Sequence, residues 1–145
     1  MSELKEEVLN NMESKEEKMN FKEIAKKNFS AWNEMLQSRD PKKVAELYKE
    51  DATFLPTVSP EFKTGKEGAC DYFEHFLAKN PNGEIKGEVV QPLGDATYLH
   101  SGMYDFEVDG KDGRIIVEAR FSYVWQKNNN DEWKILHHHS SVKPE

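Results

Sequence analysis

A single cysteine, Cys70, stands among the 145 residues. No internal disulfide can form, and a lone thiol suits a reducing compartment. Long apolar runs are missing as well: nothing approaches the roughly 20 residues that a membrane span needs. The opening "MSELKEEVLNNMESKEEKMN" is polar and contains no apolar signal segment, so the cytoplasm is the expected location. Surplus positive charge is the third absence. Lys and Arg total 20 against 27 Asp and Glu, a formal net charge of −7, and no stretch interleaves basic residues with aromatics. This argues against nucleic acid as a partner and against an anionic membrane surface. The G-x-S-x-G nucleophile turn, the H-E-x-x-H and C-x-x-C metal spacings, and the Gly-rich, H-R-D and D-F-G signatures of a kinase are absent too.

The residues present fit one domain. Hydrophobic residues make up 37%, aromatic ones 11% and charged ones 32%, enough to build a core without staples at this length. Residues 1–19 carry only a sparse stripe, Leu4, Val8 and Met12, among Glu and Lys; they read as a flexible or helical N-terminal arm. Residues 20–145 read as the domain. Asn20 can cap a helix with Glu23 as its capping-box acid, and Phe21, Ile24, Ala25, Phe29, Trp32 and Leu36 share one face to about Ser38. "DPKKVAELY" restarts a short helix with Asp40 as cap and Pro41 at the first helical position. "ATFLP" (52–56) predicts a short strand. A third helix over about 66–79 gathers Ala69, Tyr72, Phe73, Phe76 and Leu77, with Cys70 as inert core beside them. Four strand-like runs, about 84–92, 96–108, 114–127 and 132–141, follow with short Gly/Asp/Asn connections, an antiparallel meander after helices and hence an α+β fold.

Period-2 alternation sorts the side chains. Ile115, Val117, Ala119, Phe121, Tyr123 and Trp125 fall on one face; Arg114, Glu118, Arg120 and Ser122 fall on the other. In the last run, alternation groups Ile135 with His137 and His139 and sends His138 the opposite way. His137 and His139 then lie roughly 6–7 Å apart on one face. They read as partly buried neutral histidines or as pocket-lining ones; two alone make no metal site, which would need His100, Asp105, Glu118 or His75 in register. Both sheet faces are partly apolar, so one is expected to meet the helices and the other a second subunit.

The stretches "DPKKVAELYKEDATFLPTVSP", "TGKEGACDYFEHFL", "SGMYDF", "ARFSYVWQK" and "EWKILHHHSSVKPE" resemble, in this order, the nuclear-transport-factor-2-like (NTF2-like) superfamily. Within it they are most similar to the calcium/calmodulin-dependent protein kinase II association domain and its bacterial stand-alone relatives of the SgcJ/EcaC type. The resemblance covers roughly residues 21–145 and implies a cone-shaped barrel, a curved antiparallel sheet wrapped around a long N-terminal helix. It implies a funnel-shaped pocket for a small carboxylate or other small molecule. It also implies self-association into a homodimer or higher ring, without kinase activity. The positions that carry arginines in the kinase hub fall on Met103 and Tyr123. Arg120 is the nearby arginine, and a β-bulge would be needed to bring it to Tyr123's face. The candidate ligand-binding residues are Arg120, His137, His139, Tyr123, His100 and Tyr98; no catalytic residue, metal or cofactor is assigned. The alternative is a small-molecule isomerase, cyclase or dehydratase with Arg120 or His137 as the polar residue in the pocket; candidate carboxylate bases are Asp105, Glu107 and Glu118, and candidate donors Tyr98, Tyr104 and Tyr123.

Overall fold

The computed structural model describes residues 21–145; the arm at 1–19 and the cap at Asn20 lie outside the described residues. Helix α1 is described over 21–37. Phe21, Ala25, Phe29, Trp32 and Leu36 are its buried stripe, as the 3.6-residue period predicts. Helix α2, Pro41–Ala45, is capped by the Asp40 carboxylate, which accepts from the Lys42 backbone N–H at 3.0 Å. Pro41, lacking an N–H, sits where no donor is needed. Helix α3 spans Gly65–Phe76 and tightens into a 3-10 turn, Leu77–Lys79. Asn80 ends that turn in the left-handed region. No helix among the described residues is long and apolar enough to cross a membrane.

Six strands form one curved, open sheet in the order β2-β1-β6-β5-β4-β3. Their ranges are β1 Tyr48–Leu55, β2 Lys63–Thr64, β3 Asn82–Gly94, β4 Thr97–Gly110, β5 Gly113–Lys127 and β6 Trp133–Val142. The last four make the expected meander. The first strand differs from its sequence reading: it begins four residues earlier, at Tyr48, and pairs parallel with β6. The cause is burial. Tyr48, Ala52 and Phe54 all point into the core, and Glu50 and Asp51 project outward between them across an irregular stretch of the ladder.

α1 lies across the concave face of this sheet. Trp32 is its central contact, with ring centroids 5.8–5.9 Å from those of Tyr123 and Phe106. Phe29 meets Tyr104 and Tyr123, and Phe21 meets Tyr98 and Trp133. The β4–β5 ladder runs in unbroken register from Thr97 to Gly113, so Tyr98, His100, Tyr104, Phe106, Phe121, Tyr123 and Trp125 all face inward and are buried.

Bulges interrupt the alternation elsewhere, and two of them re-aim side chains that matter below. In β6 the pairing shifts between Val124 and Trp125, leaving Leu136 as the extra residue. In β3 it shifts between Ile85 and Gly87, leaving Lys86 extra. The second bulge presses backbone onto backbone: a Cβ on Gly102 would stand 2.0 Å from the Gly87 carbonyl oxygen, whereas one on Gly87 would meet nothing within 4 Å. Gly102→Ala is therefore expected to destabilise the domain by about 2 kcal/mol or more, and Gly87→Ala by much less. Denaturant unfolding of the pair measures this; equal costs would refute the close-approach account.

Candidate functional site

The β6 bulge decides which histidine enters the core. Alternation alone groups His137 and His139 with Ile135; the extra residue reverses the phase after Leu136. Ile135, His138 and Ser140 consequently point inward and are buried, while His137 is half-buried and His139 exposed on the convex side. The alternation reading is thus corrected in one respect: His137 and His139 share a face opposite His138, but it is not the face of Ile135. Its one visible sign was the adjacent apolar pair Ile135-Leu136, which a strict alternation cannot bury on one face.

His138 is held on every side. Its ring stacks between Tyr123, centroids 4.0 Å apart, and Phe54, 4.8 Å apart. Trp32 meets its edge at 5.7 Å. Tyr48 Oη lies 2.8 Å from Nδ1 and Tyr104 Oη 3.2 Å from Nε2. Tyr48 Oη accepts from Trp32 Nε1 at 3.2 Å, and Tyr104 donates to Ser140 Oγ, which in turn meets Thr57 Oγ1. One direction satisfies every donor: Trp32 to Tyr48, Tyr48 to Nδ1, Nε2–H to Tyr104, Tyr104 to Ser140, Ser140 to Thr57. The opposite tautomer would leave the Tyr48 hydroxyl proton without an acceptor, so the network assigns the Nε2–H form. Burial, reinforced by the neighbouring His137 and His139, holds the His138 pKa well below its usual value. Burial likewise raises the Tyr104 and Tyr123 hydroxyls well above theirs. All are neutral.

Above this network opens a funnel. Its throat holds about 140 Å³ and is lined by Tyr72, Phe76, Phe106, Val108 and Val117, with Thr57 at the base and Val58, His75 and Lys79 at the rim. A narrower chamber of about 10 Å³ continues downward to Tyr104, His138 and Ser140, room for a single water. Val58 takes φ +60° and is 77% exposed. A β-branched residue rarely adopts that conformation, and here it turns the loop after β1 across the funnel mouth.

The six sequence-level candidates fall into two groups. Tyr98, His100 and Tyr123 are buried on the concave face; Arg120, His137 and His139 lie on the convex one. Tyr98 accepts from Asn28 Nδ2 at 2.8 Å beneath α1. The regular β4–β5 ladder keeps Arg120 outside, where it donates to Ser141 Oγ at 3.3 Å. His137 Nδ1 lies 2.7 Å from Thr53 Oγ1. The carboxylates Asp105, Glu107 and Glu118 share Arg120's convex side; Glu107 pairs with Arg114 and Glu118 with Lys143. Among the described residues no group of three His, Cys, Asp or Glu could hold a metal. Sequence reasoning missed His138, Ser140, Tyr48 and Thr57 as the polar floor of the funnel.

The model of the calcium/calmodulin dependent protein kinase II association domain matches residues 20–144. The chain belongs to that family. A Xanthomonas campestris protein of known structure, named for the same association domain, is 41% identical, with TM-score 0.77 over 81% of this chain and 84% of its own. A nuclear transport factor 2-like superfamily protein from Salmonella enterica is 15% identical, with TM-score 0.75 over 88% and 94%. A Catenulispora acidiphila protein solved in complex with S-DNPA is 10% identical, with TM-score 0.70 over 81% and 90%. The last two share the NTF2-like fold. None of the curated proteins matches this chain.

The buried histidines of this association domain make its stability depend on pH. Desolvation lowers the folded-state pKa of His138, His137 and His100, so below about pH 6.5 the unfolded chain binds protons that the folded one resists. Stability is fully present above pH 6.5 and falls as pH drops, by up to about 1.4 kcal/mol per pH unit for each histidine kept neutral. Denaturant midpoints at pH 7.5 and 5.5 measure this, and His138→Phe should flatten the dependence; identical slopes in the two proteins would remove His138 from the account.

Proposed function

We propose that this chain is a self-associating module that presents a small-molecule pocket, with two copies meeting through their convex sheet faces. The observation that carries the reading is the character of that face. β5 and β6 are the third and fourth of six strands, so their outward residues occupy the middle of the sheet. Around Ser122 these are Val124, His137, His139 and Ser141, flanked by the charged Arg120 and Glu118. Exposed Met103 and Val89 continue the surface across β4 and β3, and Ile116 borders it. A two-fold axis near the sheet centre sets this patch against its own copy. Small uncharged side chains and imidazole rings pack in that arrangement, whereas a field of lysines or glutamates would repel itself. The family's name for the domain agrees with this reading.

The funnel supplies the second half of the proposal. Its 140 Å³ throat is close to the roughly 150 Å³ apolar cavity that accepts one benzene ring, and its aromatic walls suit a flat, apolar body. Polar groups sit at both ends, hydroxyls and imidazole at the floor and Lys79 with His75 at the rim. No carboxylate lines either chamber, which favours binding over the base-catalysed isomerase or cyclase alternative. S-DNPA bound to the Catenulispora acidiphila protein of the same fold is consistent with a ligand role.

Light scattering coupled to gel filtration tests the association: a dimer or larger assembly is expected for the native chain. Ser122→Asp, which places a carboxylate at the centre of the convex face, should shift it toward monomer while leaving its thermal midpoint nearly unchanged at low concentration. A native monomer across the micromolar range would overturn the self-association reading. For the pocket, benzoate and phenol are expected to raise the thermal midpoint, and Val117→Trp, which fills the throat, to abolish the rise. Shifts that survive the substitution would place the ligand elsewhere.

A further inference from the structure

Three unrelated features of the fold converge on Glu88. The β3 bulge at Lys86 reverses the strand's phase: before it Ile85 faces inward, and after it Glu88 and Val90 do. The apolar Val89 is turned out to solvent, 59% exposed, so that a carboxylate can face in. Bulges often re-aim a side chain beside a working site. Gly102, opposite Glu88, leaves the space that this requires; any Cβ there would collide with the Gly87 carbonyl and the Glu88 Cα. Behind Glu88 stands His100, fully buried, its two ring nitrogens without a hydrogen-bond partner. Its Nε2 points toward Glu88 Oε2 at 3.7 Å, beyond hydrogen-bonding distance. A buried imidazole with both nitrogens unpaired is costly, and such groups mark places where something else completes the network.

Glu88 opens onto a cleft of about 390 Å³ between α1 and the first half of β3. Phe29 and Ile85 give it apolar walls, and Ser30 and Asn33 of α1 give it polar edges. The charged groups facing Glu88 and His100 are few. Lys26 lies on the α1 rim, and Glu84 is occupied by Lys86 at 3.3 Å. From β5, His100 meets only the rings of Phe121 and Tyr123. Burial keeps His100 below its ordinary pKa, opposed by the nearby Glu88.

We propose that this cleft binds a small organic cation, an alkylammonium group whose charge meets Glu88 and whose chain lies along Phe29 and Ile85. His100 is the positioning residue that stands behind the carboxylate, its unpartnered Nε2 taking up Glu88 Oε2 as a hydrogen-bond partner once the site fills. An anion would face Glu88 with like charge, and a neutral alcohol would leave that charge unpaired, while the net charge of −7 raises the local concentration of cations. The site is separate from the funnel and from the convex face, so it stands or falls independently of both.

Titration calorimetry with butylammonium, butanol and butyrate on the full chain at pH 8 tests it. Butylammonium is expected to bind at least tenfold more tightly than butanol, and butyrate not at all. Glu88→Gln, a substitution at a half-exposed position that leaves the fold intact, should weaken butylammonium binding tenfold or more. For the positioning role, the ring nitrogen resonances of His100 should move as butylammonium saturates the native chain and stay still in Glu88→Gln. Equal affinity for the cation and the alcohol, or full affinity in Glu88→Gln, would overturn the site; a silent His100 ring at saturation would overturn its part in it.

Discussion

The stack of Tyr123, His138 and Phe54, closed at its edge by Trp32, is the contact on which the rest of this structure turns. It joins β5, β6, β1 and α1 through one imidazole, and hydrogen bonds extend it to Tyr48, Tyr104 and Ser140. An imidazole in such a place must be neutral, must have both nitrogens satisfied and must point inward. Each demand shapes something larger. Inward orientation requires the bulge at Leu136. Satisfying Nδ1 requires Tyr48, which pulls the start of β1 beside β6 in parallel. Satisfying Nε2 requires Tyr104, whose hydroxyl then continues the network to the funnel floor.

The funnel follows from the same arrangement. Because Tyr104, Ser140 and Thr57 are committed to one another and to His138, the floor offers polarity without charge. The aromatic walls contributed by α3 and β4 finish a space of ring size above it. A cation appears only at the rim, Lys79 on the 3-10 turn, beside the imidazole of His75 in the last turn of α3. A fold built this way keeps its chemistry away from carboxylates: Asp105, Glu107 and Glu118 remain on the convex side, paired or solvated.

Much of this was legible in the residues. The α1 stripe, the Asp40-Pro41 start, the four-strand meander and the inward row on β4 and β5 all follow from period and capping alone. The limits lie where one inserted residue changes phase. His137 and His139 share Ile135's face only if β6 is regular, and the bulge hands the interior to His138. In β3 the extra residue at Lys86 reverses the phase in the same way and turns Glu88 inward. Arg120 needed a bulge in β5 to reach Tyr123, and that ladder has none. Alternation is a reliable guide along an unbroken strand, but a bulge depends on the neighbouring strand's side chains, which no local window contains.

The bulge that turns Glu88 inward also has a consequence at the rim of the sheet. β3 is an edge strand of thirteen residues, long enough to template the addition of foreign strands. Its ladder is broken at Lys86, its outer row carries a lysine there, and Pro92 removes a donor six residues on. The opposite edge, β2, is only two residues long. Neither border offers a straight row of free amides, so the sheet resists growing sideways into fibrils and leaves its convex face as the surface open to partners.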